Sequence, residues 1–151
     1  MKGRDWGIAL MTSRDLPEVV ALESDTLSPW SMADFVSELE HPGAAQYVAR
    51  DLTTDQILGH LCARIGAGEA EIMKLAVRAD SRRRGIGAAL LQHFLDFLLK
   101  REVSLCHLEL RASNDAALAL YQKKGFIRTG FRKKYYSTPE EPAIIMTKTV
   151  T

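Results

Sequence analysis

The stretch from Ala70 to Arg101 constrains this chain most. A strand-like run to Arg78 leads through Asp80-Ser81-Arg82-Arg83-Arg84-Gly85-Ile86-Gly87-Ala88 into a helix, whose Ile86, Leu90, Leu91, Phe94, Leu95 and Leu98 fall on one stripe. Arg82, Arg83 and Arg84 sit beside the positive end of the helix dipole, where each like charge costs about 0.3–1 kcal/mol. An anion bound by free first-turn N–H groups, with Gly85 and Gly87 permitting close approach, accounts for them; a solvated basic turn is the alternative. The turn lacks the Lys-Ser/Thr pair of a P-loop. Leu90 also stands where a dinucleotide-binding fingerprint requires a small residue.

The remaining chain alternates strand and helix patterns without a linker, low-complexity segment or internal repeat. Residues 7–11 read as a strand, followed by Thr12-Ser13 as cap candidates and a helix with Leu16, Val19, Val20 and Glu23 at helical spacing. Ser31 and Asp34 resemble a capping box opening a second helix to about Glu40. Strands are predicted over 46–51, 57–65 and 70–78, the first two joined by a hairpin turn at Thr53-Thr54-Asp55. After the long helix come a strand over 105–111, a helix over 114–124 stopped by Gly125, and strands over 126–135 and 143–150. The order is β-α-α-β-β-β-α-β-α-β-β, an α/β (α+β) chain whose 151 residues suit a single domain over 1–151.

Composition narrows the partners. With 20 Lys and Arg against 19 Asp and Glu, the net charge of +1 gives no general reason for direct nucleic-acid binding. No apolar stretch reaches the roughly 20 residues of a membrane span, and the first residues lead into no signal-peptide core. Two cysteines, Cys62 and Cys106, exclude a disulfide scaffold and read as small buried hydrophobes. A cytoplasmic monomer or weak dimer is expected. His60 and Cys62 share a strand face, but Cys106 and His107 point oppositely and no ligand spacing is present, so no metal is expected. His41 and His93 read as surface residues.

Arg82-x-x-Gly85-x-Gly87 after a strand resembles the acetyl-coenzyme A (acetyl-CoA) loop of the GNAT N-acetyltransferase superfamily, and the order of elements is similar to that fold over the whole chain. Ser28-Pro29-Trp30-Ser31, Leu75-Ala76-Val77, Leu108-Glu109-Leu110-Arg111-Ala112-Ser113-Asn114, Ala119-Leu120-Tyr121, Gly125-Phe126, Arg132-Lys133-Lys134-Tyr135-Tyr136 and Ala143-Ile144-Ile145-Met146 are together similar to RimI-type ribosomal-protein alanine N-acetyltransferases. The resemblance implies a mixed, mostly antiparallel seven-stranded sheet flanked by four helices and split between strands 4 and 5. It implies that the backbone of Leu75, Ala76 and Val77 pairs with the pantetheine arm of acetyl-CoA. Arg82, Arg83, Arg84, Gly85, Ile86, Gly87 and Ala88 would receive the pyrophosphate, with the N–H groups of Arg83 to Ala88 holding it, and Asn114 would contact the cofactor. Glu109 matches the general base and Tyr121 the general acid. The implied substrate is the N-terminal amine of a protein, an alanine of a ribosomal protein. One departure stands out: Pro142 occupies the position before Ala143 where the RimI-type pattern carries an acidic residue.

Elementary chemistry accommodates these roles. Acetyl transfer to an amine needs a neutral nucleophile, a stabilised oxyanion and a proton for the thiolate. On a strand, His107, Glu109 and Arg111 share one face, so Glu109 either meets a cleft or forms a structural ion pair with Arg111 or a lysine. Asn114 and Tyr121 are nearly two helical turns apart on one face, about 10 Å along the axis, so one elongated ligand can touch both. Helical spacing alone reads Tyr121 as a core aromatic with its hydroxyl at the surface. An α-amine with a pKa of about 7.7–8.0 is about 10% neutral at pH 7, a lysine less than about 0.1%, so a modest base favours a protein N-terminus. Trp30, Tyr135 and Tyr136 either line a peptide groove or pack in the core. Glu140-Glu141 reads as an attractor of basic peptides or as a solvated turn, and Lys133-Lys134 as a solvated hairpin. A GNAT enzyme acting on lysine or a small amine, and a non-catalytic acyl-CoA binding module, are the alternatives.

Overall fold

The computed structural model describes residues 5–150; residues 1–4 and 151 of the expected domain lie outside the described residues. Seven strands form one sheet: β1 (Trp6–Leu10), β2 (Ala44–Asp51), β3 (Ile57–Gly66), β4 (Glu69–Val77), β5 (Leu105–Arg111), β6 (Ile127–Ser137) and β7 (Glu140–Thr149), in the spatial order β1-β2-β3-β4-β5-β7-β6. Every neighbouring pair is antiparallel except β4 and β5. That parallel pair spans only Glu69–Ile72 against Leu105–Leu108, after which the two strands part. The mixed sheet, its four helices and the expected split are all present.

The helices are α1 (Leu16–Glu23), α2 (Met32–Glu40), α3 (Ile86–Lys100) and α4 (Asp115–Lys123). A 3₁₀ turn over Ser13–Asp15, capped reciprocally by Thr12 and Asp15, precedes α1. Ser31 and Asp34 cap α2 as their spacing predicts: the Asp34 carboxylate accepts from the Ser31 N–H at 2.8 Å and the Ser31 hydroxyl from the Asp34 N–H at 3.2 Å.

Two cores lie on opposite faces of the sheet. Ile86, Leu90, Leu91, Phe94, Leu95 and Leu98 of α3 join Ala70, Ile72, Cys106, Leu108, Tyr121 and Met146 in one. Leu16, Val19 and Phe35 join Met11, Val48, Ile57 and Cys62 in the other. Gly59 lets α3 lie close: a Cβ there would stand 2.9 Å from the Ala76 carbonyl oxygen and 3.2 Å from Ile86.

The main departure from the sequence reading is at the last hairpin. β7 begins at Glu140 rather than Ala143, so Pro142 stands inside a strand. Arg132 pairs with Ala143 and Tyr136 with Glu141, leaving Lys133, Lys134 and Tyr135 opposite Pro142 alone. Proline offers no N–H to the ladder, and β6 bulges there, with Lys134 at φ 54°. The solvated hairpin expected at Lys133-Lys134 is therefore an exposed bulge within β6.

Candidate active site

The site is built where β4 leaves β5. The Arg78 N–H donates to the Leu58 carbonyl at 2.8 Å, and an antiparallel ladder alternates, so the backbone groups of Ala76 turn toward β3 and those of Leu75 and Val77 toward the split. Of the three residues whose backbone was expected to pair with an extended ligand, Leu75 and Val77 turn their polar groups to that side, where the Val77 carbonyl accepts from Arg82 Nε at 3.4 Å.

The turn after β4 is open. Gly85, at φ 81°, caps α3 in a left-handed conformation, and a Cβ built there would meet nothing within 4 Å. At Gly87 a Cβ would reach ordinary contact with Val77 at 3.6 Å and Leu120 at 3.7 Å. The Ala89 N–H donates to the Gly85 carbonyl at 3.0 Å, which leaves the N–H groups of Ile86, Gly87 and Ala88 ahead of the helical ladder. The three arginines do not plug this turn. Arg82 donates to the Val77 carbonyl at 3.4 Å, Arg84 pairs with Asp5 at 3.0 Å, and Arg83, at φ 64°, is exposed.

Across the split, alternation along β5 places half-buried Glu109 on the α1–α2 face. Its carboxylate accepts from the Tyr135 hydroxyl and pairs with Arg132 at 3.1 Å, so its cation is neither Arg111 nor a lysine. Tyr121 is buried, with its ring 5.5 Å from Phe126. Helical spacing suggested a hydroxyl at the surface; instead burial pushes that hydroxyl well above its ordinary pKa, and nearby Cys106 and Tyr136 push it further. Tyr136 is raised by its own burial and by the Glu109 carboxylate, so it lies within electrostatic reach of both Glu109 and Tyr121. Asn114 caps α4, its Oδ1 accepting from the Ala117 N–H at 3.2 Å.

Trp30 belongs to a different neighbourhood. Its ring lies edge-on to Phe35 at 5.3 Å with Lys74 Nζ 5.5 Å away, and it borders a cavity of about 250 Å³ with Asp34, Ser37 and Glu38. Cys62 and Cys106 are fully buried free thiols, as their surroundings in the sequence suggest. His60 Nδ1 lies 3.7 Å from Cys62 Sγ while its Nε2 meets Glu23 at 3.0 Å. His93 is exposed, while His41, expected at the surface, is half-buried and accepts from the Gly43 N–H at 3.0 Å. Among the described residues no helix is long and apolar enough to cross a membrane.

The model of the acetyltransferase (GNAT) family matches residues 16–126. The chain belongs to the GNAT family. This GNAT chain is 36% identical over 143 residues to the [ribosomal protein bS18]-alanine N-acetyltransferase of Escherichia coli K12, covering 92% of itself and 94% of that protein. It is 34% identical over 146 residues to the N-alpha-acetyltransferase RimI of Mycobacterium tuberculosis, covering 92% and 89%. The crystal structure of the ribosomal-protein-S18-alanine N-acetyltransferase from E. coli superposes with a TM-score of 0.90 at 33% identity, over 97% of this chain and 94% of that one.

The partners of several polar residues beside the split of the GNAT sheet escaped the sequence reading. Glu23, fully buried, meets His60 and also Lys74 at 2.7 Å. Its place on the apolar stripe of α1 was the available signal. Arg111 is buried and collects the last hairpin: it donates to the carbonyls of Pro139 at 2.9 Å and Thr138 at 3.2 Å, pairs with Glu141 at 3.1 Å, and stacks 4.4 Å from the Tyr136 ring centre. Glu141 further accepts from the Ser113 N–H at 3.0 Å, so it is neither a solvated turn residue nor a free attractor of basic peptides.

Proposed function

We propose that this chain transfers an acetyl group from acetyl-CoA to the α-amine of a protein N-terminus, an alanine of a ribosomal protein. Residues 1–151 act as one GNAT domain, a monomer or weak dimer of the cytoplasm, where a ribosomal protein is met. The observation that carries this reading is the open turn at Gly85 lying at the end of a strand whose Leu75 and Val77 backbone groups face the split. Free backbone N–H groups at a helix start, flanked by three arginines, fit a diphosphate, and an unpaired strand edge fits an arm that carries amides. The relatives named for alanine N-acetylation support the choice of acceptor.

When bound, acetyl-CoA supplies the activated acetyl thioester. The N–H groups of Arg83 to Ala88 hold its pyrophosphate, with Arg82, Arg83 and Arg84 adding charge. Leu75 and Val77 bond the pantetheine arm on either side of Ala76, and the Asn114 amide nitrogen, free of the capping bond, reaches the cofactor. Tyr135 and Tyr136, which adjoin Glu109, line the acceptor side. Glu109 takes the amine proton through water, and the Val77 N–H faces negative charge developing on the carbonyl oxygen. Tyr121, whose hydroxyl keeps its proton at any working pH because it is buried, gives it to the leaving sulfur.

Acetyl-CoA turnover with an alanine-starting peptide, compared with its N-blocked, lysine-containing counterpart, tests the proposal. The free α-amine is the expected acceptor. Preference for the blocked peptide overturns that choice in favour of a lysine acetyltransferase, and cofactor binding without transfer to any peptide or small amine leaves only a binding module.

A further inference from the structure

We propose that Ser28, in the loop between α1 and α2, is a positioning residue that latches this loop across the mouth of the β4–β5 split and so determines how well the acceptor is held. The inference rests on the acetyl-transfer reading above. Lys74 lies just beyond the last β4 residue paired to β5, and Arg111 lies at the end of β5. The two cations therefore flank the split, and both grip Ser28: Lys74 Nζ donates to its carbonyl, while Arg111 Nη2 donates to its hydroxyl at 2.7 Å.

Each cation is itself held in place. Lys74 meets Glu23 at 2.7 Å, and Glu23 meets His60 on β3 at 3.0 Å. Arg111 is fixed by Glu141 and by the Thr138 and Pro139 carbonyls of the last hairpin. A continuous polar chain thus runs from β3 to the β6–β7 hairpin, and it passes from Lys74 to Arg111 through Ser28 of the α1–α2 loop. Arg111 emerges two residues from Glu109 on the same strand face, so the two segments it gathers, Ser28 and Thr138–Glu141, stand beside the proposed base. An acceptor amine approaching Glu109 passes between them.

Loss of the Ser28 hydroxyl leaves the guanidinium of a buried arginine short of an acceptor, although its Nε already lacks a partner. The loop over 24–31 then gains freedom that binding must remove, and this raises the acceptor KM more than it lowers kcat. A residue serving fold stability alone would instead lower the melting temperature and all kinetic parameters together.

The test compares Ser28→Thr, which keeps a hydroxyl, with Ser28→Val, which has nearly the same shape without one. With acetyl-CoA and an alanine-starting peptide, Ser28→Val is expected to raise the peptide KM about tenfold with kcat and the acetyl-CoA KM within about twofold, while Ser28→Thr stays near the parent. Equal behaviour of the two variants, or a fall in kcat and thermal stability without the KM change, overturns the latch. If the parent enzyme prefers a lysine or small amine, the proposed acceptor fails and the same comparison on that amine still decides the latch. Amide hydrogen exchange over residues 24–31 decides it without catalysis: faster exchange in Ser28→Val than in Ser28→Thr supports the latch, and equal exchange overturns it.

Discussion

Pro142 on β7 stands opposite the β6 bulge that carries Tyr135, and Tyr135 in turn donates its hydroxyl hydrogen to Glu109. A residue that cannot donate to the ladder is matched by three residues that leave it, and the displaced tyrosine arrives over the carboxylate proposed as base. The departure of Pro142 from the RimI-type pattern thus coincides with a local rearrangement of β6 rather than with loss of the hairpin. Tyr135→Phe keeps the ring against Arg132 and removes the hydrogen bond to Glu109. Peptide kcat/KM is expected to fall by about three- to tenfold with the acetyl-CoA KM unchanged; an unchanged kcat/KM would show that Glu109 needs no help from this residue.

Tyr121 occupies a dry position, and its burial keeps the hydroxyl protonated. Tyr121→Phe should lower kcat about a hundredfold while acetyl-CoA affinity changes little. Equal losses in turnover and affinity would count against its role as proton donor. Because its pKa is raised, the parent enzyme should show no Tyr121-dependent decline in kcat up to about pH 10, which a pH–rate profile reads directly.

Glu23 links stability to acid. Burial alone would raise its pKa, but hydrogen bonds and charge from His60 and Lys74 outweigh that and hold it below its ordinary value of 4.5. With the folded-state value depressed, this contribution to stability is complete above the unfolded value, near 4.5, and is lost as pH falls below it toward the folded value. Melting temperature measured from pH 7 to pH 3 should fall in that acid window, and Glu23→Gln should flatten this part of the curve. At pH 7 the same variant leaves Lys74 without its carboxylate and should cost about 3–5 kcal/mol.

Both thiols are shut away. Burial pushes the Cys106 thiol to about 12 and Cys62 higher still, so neither forms thiolate near neutrality. A thiol-specific reagent at pH 8 should modify no cysteine in the folded protein and both after denaturation. Rapid labelling of the native protein would contradict this packing.

Patterns with short reach were legible in the chain. The stripe from Ile86 to Leu98, the Ser31–Asp34 box and the stop at Gly125 all rest on groups within a few residues of one another, and each took the expected form. The glycine turn was recognisable for the same reason, since the helix dipole and free N–H groups belong to the residues that carry the motif. Even the alternation that brings Glu109 to one face of β5 needs only the period of a strand.

What paired with those groups was decided by tertiary structure alone. Glu109 meets Arg132 two strands away, on β6, because β7 lies between β5 and β6, while Arg111 is taken up by Ser28, Glu141 and the Thr138 and Pro139 carbonyls. Tyr121 is buried because α4 lays it against Phe126. Ser28, Lys74 and Arg111 are separated by 46 and 83 residues from the loop residue to each cation, and they meet only because the sheet opens between β4 and β5. Local propensity and period are written in neighbouring residues, whereas a long-range ion pair depends on strand order and register, which emerge only when the whole sheet assembles.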